Sequence, residues 1–128
     1  MKAKKSVLSL MSCVALLSMS IAPAKAGDFL KCEKRSDPQR SRISVEAGDL
    51  IPGALYTATV ISGGNNKFAT VAADPGGDAR FDFDSNMNDV LAGATAIASN
   101  FINGSVTATV TTANGNVVES DTVACRNK

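Results

Sequence analysis

The sequence predicts an all-β domain, a small antiparallel β-sandwich of about seven strands held by one disulfide. Two observations carry this reading. Short segments alternate apolar and polar residues with a period of two, and clusters of Gly, Pro, Asn and Asp separate them at near-regular spacing. A third observation, two cysteines near the ends of the domain, fits a staple between first and last strands. A small β-barrel satisfies the same pattern and is the alternative.

The first strand places Leu30 and Cys32 on one face and ends at Ser36-Asp37-Pro38-Gln39. Next, Ile43, Val45 and Ala47 alternate with Arg42, Ser44 and Glu46 up to a turn at Gly48-Asp49, and Pro52-Gly53 is a further break. Tyr56, Ala58 and Val60 alternate with Thr57 and Thr59, and Gly63-Gly64-Asn65-Asn66 supplies a tight reversal into a hairpin partner over Lys67 to Ala73 of undefined register. After the Asp74-Pro75-Gly76-Gly77-Asp78 turn, the faces are clearest over Ala79 to Asp84. Phe81 and Phe83 are expected in the core, and Arg80, Asp82 and Asp84 on the surface.

Asn86 to Ile102 reads as an irregular crossover with a short helical turn or strand at most. Val106, Ala108 and Val110 then alternate with Thr107, Thr109 and Thr111 before the hairpin signal Asn114-Gly115. The last strand runs from Val117 to Arg126. Its alternation slips at Glu119 to Asp121, which sets two acids on the face of Val123 and Cys125 unless a bulge resets the phase. The likeness of YTATV (56–60) to VTATV (106–110) reflects β-propensity on one Thr-rich outer face and implies no repeat. In an immunoglobulin-like layout the first and last strands are neighbouring edges, so a Cys32–Cys125 bridge ties the two ends. The pattern resembles bacterial immunoglobulin-like modules in general, without the Trp of antibody domains.

Residues 1–26 read as a signal peptide of bacterial type. Lys2, Lys4 and Lys5 form the charged start, Val7 to Ala22 is mostly apolar, and Ala24-Lys25-Ala26 is a small-x-small cleavage pattern, leaving one domain over 27–128. The apolar run is short and broken by serines, so no stable membrane span is expected. Leu10-Met11-Ser12-Cys13 only loosely resembles a lipobox, with too little apolar sequence before it. The expected localisation is therefore periplasmic or extracellular, where Cys32 and Cys125 form a disulfide.

Four of the thirteen basic residues, Lys2, Lys4, Lys5 and Lys25, lie in the leader. The rest of the chain carries nine basic against twelve acidic residues, a net of −3, which makes nucleic acid an unsuitable partner. Lys31, Lys34, Arg35, Arg40 and Arg42 crowd the start, and Asp74, Asp78, Asp82, Asp84 and Asp89 the middle, as two solvated patches.

The chain has no histidine, which removes the usual residue of hydrolase triads, of imidazole-bound metals and of most base catalysis near neutral pH. Asp82 and Asp84 share a strand face at a separation of about 7 Å, near glycosidase spacing, but without an apolar pocket or aromatic stacking residues. Asp82, Asp84 and Asn86 are the weak candidates for a calcium site. As an EF-hand the run fails, because Met87 stands at the glycine position and Gly93 at the terminal Glu position. No enzyme activity, cofactor or resident metal is expected.

What remains is an exported, non-catalytic module acting by surface contact with a protein or envelope component. A structural subunit of a surface fibre and a calcium-modulated binder are the alternatives, and the oligomeric state is left open.

Overall fold

The structure is a computed structural model that describes residues 29–128, so the leader reading of residues 1–26 lies outside the described residues. Among the described residues, seven strands of six residues or more build two sheets. Strands β1 (Leu30–Ser36), β2 (Gln39–Ala47) and β5 (Ala79–Asp84) form the body of one sheet, with the two-residue strands β6 (Thr95–Ala96) and β9 (Arg126–Asn127) at its edges, in the order β9-β1-β2-β5-β6. The other sheet has the order β8-β7-β3-β4, from β3 (Leu55–Ser62), β4 (Asn65–Ala72), β7 (Ser105–Thr112) and β8 (Val117–Ala124). Among the described residues the sheets share no ladder, so the architecture is the expected sandwich and not the barrel. All pairs are antiparallel except β9 on β1 and β6 on β5. Strands β1, β2 and β5 in one sheet against β3, β4, β7 and β8 in the other is an immunoglobulin-like interleaving, with the fourth strand in the sheet of the third and not in that of the first, second and fifth.

Alternation sets the inner faces. Ile43, Val45, Phe81 and Phe83 from one sheet meet Ala58, Val60, Val106, Ala108 and Val110 from the other, all buried, with Phe29, Phe101 and Ile102 closing the ends. Phe81 and Phe83 are core residues, as expected. Tyr56 is buried too, and its hydroxyl accepts the Ile51 N–H at 3.0 Å, which satisfies its polar end. The Asp74 to Asp78 turn packs on the chain at Leu50, whose N–H donates to the Gly77 carbonyl at 2.9 Å. Gly77 has φ +81, and a Cβ there would meet Leu50 O at 2.7 Å, so both backbone conformation and space require glycine.

Three segments that the alternation does not define take clear form. Strand β4 pairs with β3 in continuous register from Leu55↔Ala72 to Ser62↔Asn65. The crossover contains α1 (Met87–Leu91), capped by Asn86, whose side chain accepts the Asn88 N–H at 2.9 Å, and then β6. The predicted last strand divides: β8 ends at Ala124, the chain changes sheets at Cys125, and β9 continues beside β1. A bulge does occur, between Val117 and Glu119, but it lies before the acids and leaves them in phase with Val123. Glu119 stands opposite Val110, Asp121 opposite Ala108 and Val123 opposite Val106. Both acids therefore occupy the inner face of an edge strand, where the opposing sheet gives little cover; Asp121 is exposed.

Candidate functional site

Cys32 and Cys125 form the disulfide, with Cα atoms 4.9 Å apart. Cys32 belongs to β1, and Cys125 lies where the chain leaves β8, so the bond joins the two sheets at one edge.

The expected basic and acidic patches are not separate. Strands β2 and β5 are neighbours, and their outward residues interlock. Arg80 Nη1 lies 2.7 Å from Glu46 and its Nε 3.0 Å from Asp82. Arg40 donates to both Asp84 oxygens, at 3.0 and 2.7 Å, and to Asp89 at 2.7 Å. Asp84 also accepts the Asn86 N–H at 2.9 Å and has Arg42 at 3.8 Å.

This corrects the placement of Asp84 on the surface. It is on the outward face, as alternation requires, yet only 2% exposed, because Arg40 and the start of the crossover cover it. Burial alone would raise its pKa. The hydrogen bonds from Arg40 and Asn86, with the charges of Arg40 and Arg42, outweigh burial and hold the carboxyl below its ordinary value. Asp82 is half-buried and outward. The weak calcium candidates are thus separately engaged: Asp82 by Arg80, Asp84 by Arg40, and the Asn86 side chain by the helix cap. Among the described residues no group of three or more His, Cys, Asp or Glu is placed to hold a metal ion.

Two buried serines, not singled out from the sequence, anchor the crossover. Ser41 Oγ donates to Ser99 O at 2.9 Å and accepts the Ile102 N–H at 3.1 Å; Ser62 Oγ donates to Ser105 O and accepts the Asn103 N–H, both at 2.7 Å. The available signal was phase, since Ser41 alternates with Ile43 and Ser62 with Val60, which puts both hydroxyls on inner faces.

The outer face of the β8-β7-β3-β4 sheet differs in kind. Across the registers, one row holds Thr122, Thr107, Ile61 and Asn66; the next Ser120, Thr109, Thr59 and Phe68; the third Val117, Thr111, Thr57 and Thr70. No charged residue stands in these rows. Hydroxyls bridge neighbouring strands, Thr57 with Thr70 and Thr107 with Thr122 at 2.7 Å, and Thr109 with Ser120 at 2.9 Å. Phe68 is 65% exposed among them, with Ile61 and Leu55 also exposed. The Thr-rich outer face seen in the sequence is therefore continuous across all four strands.

A groove of about 370 Å³ runs along the other sheet, lined by Lys31, Arg42, Arg80 and Arg126 against Glu33 and Glu46. Comparison with family models, characterised proteins and solved structures finds no match.

Proposed function

We propose that the chain is an exported, non-catalytic module that works by surface contact, through the uncharged outer face of the β8-β7-β3-β4 sheet, with a protein or envelope component. The observation that carries the reading is the three rows of Thr, Ser, Phe and Ile free of charge, on a chain whose other outer face is dense with ions. A face with few charges and an exposed aromatic loses little on desolvation, which is what a contact surface needs. The leader pattern and the Cys32–Cys125 bond support export into an oxidising compartment.

The alternatives have less support. A calcium-modulated binder needs free carboxylates, and those of Asp82 and Asp84 are held by arginines. A fibre subunit joined edge to edge needs two receptive edges, and β8 is guarded. It begins with a bulge, carries two inward acids, and Asp121 covers the Thr122 N–H with its own carboxylate at 2.8 Å.

A photo-crosslinking residue at Thr109, mid-face, should give adducts larger than a self-dimer in producing cells. The same residue at Arg42, on the charged face, should give few. Adducts from Arg42 with none from Thr109 would reject this face as the contact surface.

A further inference from the structure

We infer that a second copy of this chain docks on β4 by antiparallel strand addition, forming a closed two-fold dimer in which the two uncharged faces become one eight-stranded surface. Among the described residues the sheets have four edge strands, which differ in how they are protected. Strands β6 and β9 are two residues long, and β8 is bulged and acidic. Strand β4 pairs over eight residues without a register shift, and among the described residues nothing pairs with its other side. Such an edge is a ready template for another strand.

Strand geometry fixes which groups are open. Both the N–H and the carbonyl of Ala73 bond toward the β3 side, to Ala54 O and Gly53 N at 2.9 Å. Alternate residues point the other way, so Asn66, Phe68, Thr70 and Ala72 present their N–H and carbonyl groups to the free edge. These four residues are symmetric about Ala69. A two-fold axis there pairs Asn66 with Ala72 of the copy and Phe68 with Thr70 of the copy, and satisfies every open group on both strands. The two Phe68 rings come to diagonal positions on the outer face, within reach of one another.

Charge agrees with this arrangement. Lys67 lies on the inner side opposite Val71 of the copy, far from the other Lys67, whereas β8 against β8 would set acids near acids. The guarded β8 edge stops growth at two copies, giving a closed dimer in place of an open filament. The interface is the edge and not the Thr face, so this inference and the proposed function fail separately. Strand addition with one aromatic per copy is a small interface, and the dimer is therefore concentration-dependent.

The test uses protein expressed with its own leader and purified oxidised. Sedimentation velocity over a concentration series should shift from monomer to dimer, with no larger species. Thr70→Pro removes one edge N–H at a position where an edge strand tolerates proline, and should abolish the shift without loss of the folded transition. As an independent reading, Ala69→Cys places two thiols at the axis, about 4.5 Å apart at Cα, and should give a covalent dimer that reductant reverses. A monomer at every concentration, with the introduced thiol fully open to alkylation, would overturn the inference. So would growth beyond two copies, or a dimer that Thr70→Pro leaves unchanged.

Discussion

The outer faces of the two sheets rest on interiors of the same kind and differ in almost every other respect. On β2 and β5 the outward residues are ions that neutralise one another: Arg40 with Asp84 and Asp89, and Arg80 with Glu46 and Asp82. On β3, β4, β7 and β8 they are hydroxyls joined across strands, with Phe68 and Ile61 exposed between them. Arg40 and Arg80 of the charged face find their partners within the chain, and the Arg40–Asp84 pair anchors the start of the crossover at Asn86. The uncharged face completes little beyond neighbouring hydroxyls. Surface that the fold does not use is where function is sought.

Substitutions should separate these roles by size of effect. The largest belongs to the shared interior: Phe83→Ala, at a fully buried position, should lower stability in chemical denaturation by about 3–5 kcal/mol. Loss of the disulfide should follow. Cys32→Ala/Cys125→Ala opens a sequence separation of 93 residues, and the same measurement should show a loss of about 2–4 kcal/mol.

Within the charged face the two aspartates should part company, although alternation treats them alike. Asp84→Asn leaves Arg40 without its buried partner and should cost about 2–3 kcal/mol. Asp82→Asn breaks an exposed pair and should cost under about 1 kcal/mol. Equal losses would erase the distinction. Acid gives a second reading of Asp84, which has a folded-state pKa below its unfolded value. Its contribution is complete above the unfolded carboxylate pKa of about 3.9 and is lost as pH falls through the lower folded value. Asp84→Asn should therefore flatten the acid limb of the stability profile. On the uncharged face, Thr109→Val should change stability by no more than about 0.5 kcal/mol.

The same contrast marks what was legible in the sequence. Alternation identified the inner residues Ile43, Val45, Phe81, Phe83, Val106 and Val110, and the terminal cysteines gave the bridge, because period and redox context are local properties. Asp84 escaped, since alternation assigns a face and says nothing of what lies over it; its cover comes from Arg40 and a crossover distant in sequence. The register of β4 escaped because an edge strand with one half-covered face need not alternate cleanly; only Ala69 and Val71 are half-buried. The acids of β8 were legible as a conflict of phase. The conflict is real: the bulge does not remove it, and an edge strand tolerates inward charge that a central strand would not. The uncharged face was visible only as two similar segments, since its extent depends on pairings with β4 and β8.

If the uncharged face makes the contact, charge inserted there breaks it. Thr59→Glu/Ser120→Glu, two strands apart in the same row, should abolish the adducts trapped by a photo-crosslinker at Thr107 while the purified protein keeps its melting transition within a few degrees. A charge change on the opposite face, Glu46→Lys, should leave the adducts intact. Adducts that survive the two glutamates, or that vanish with Glu46→Lys instead, would place the contact elsewhere.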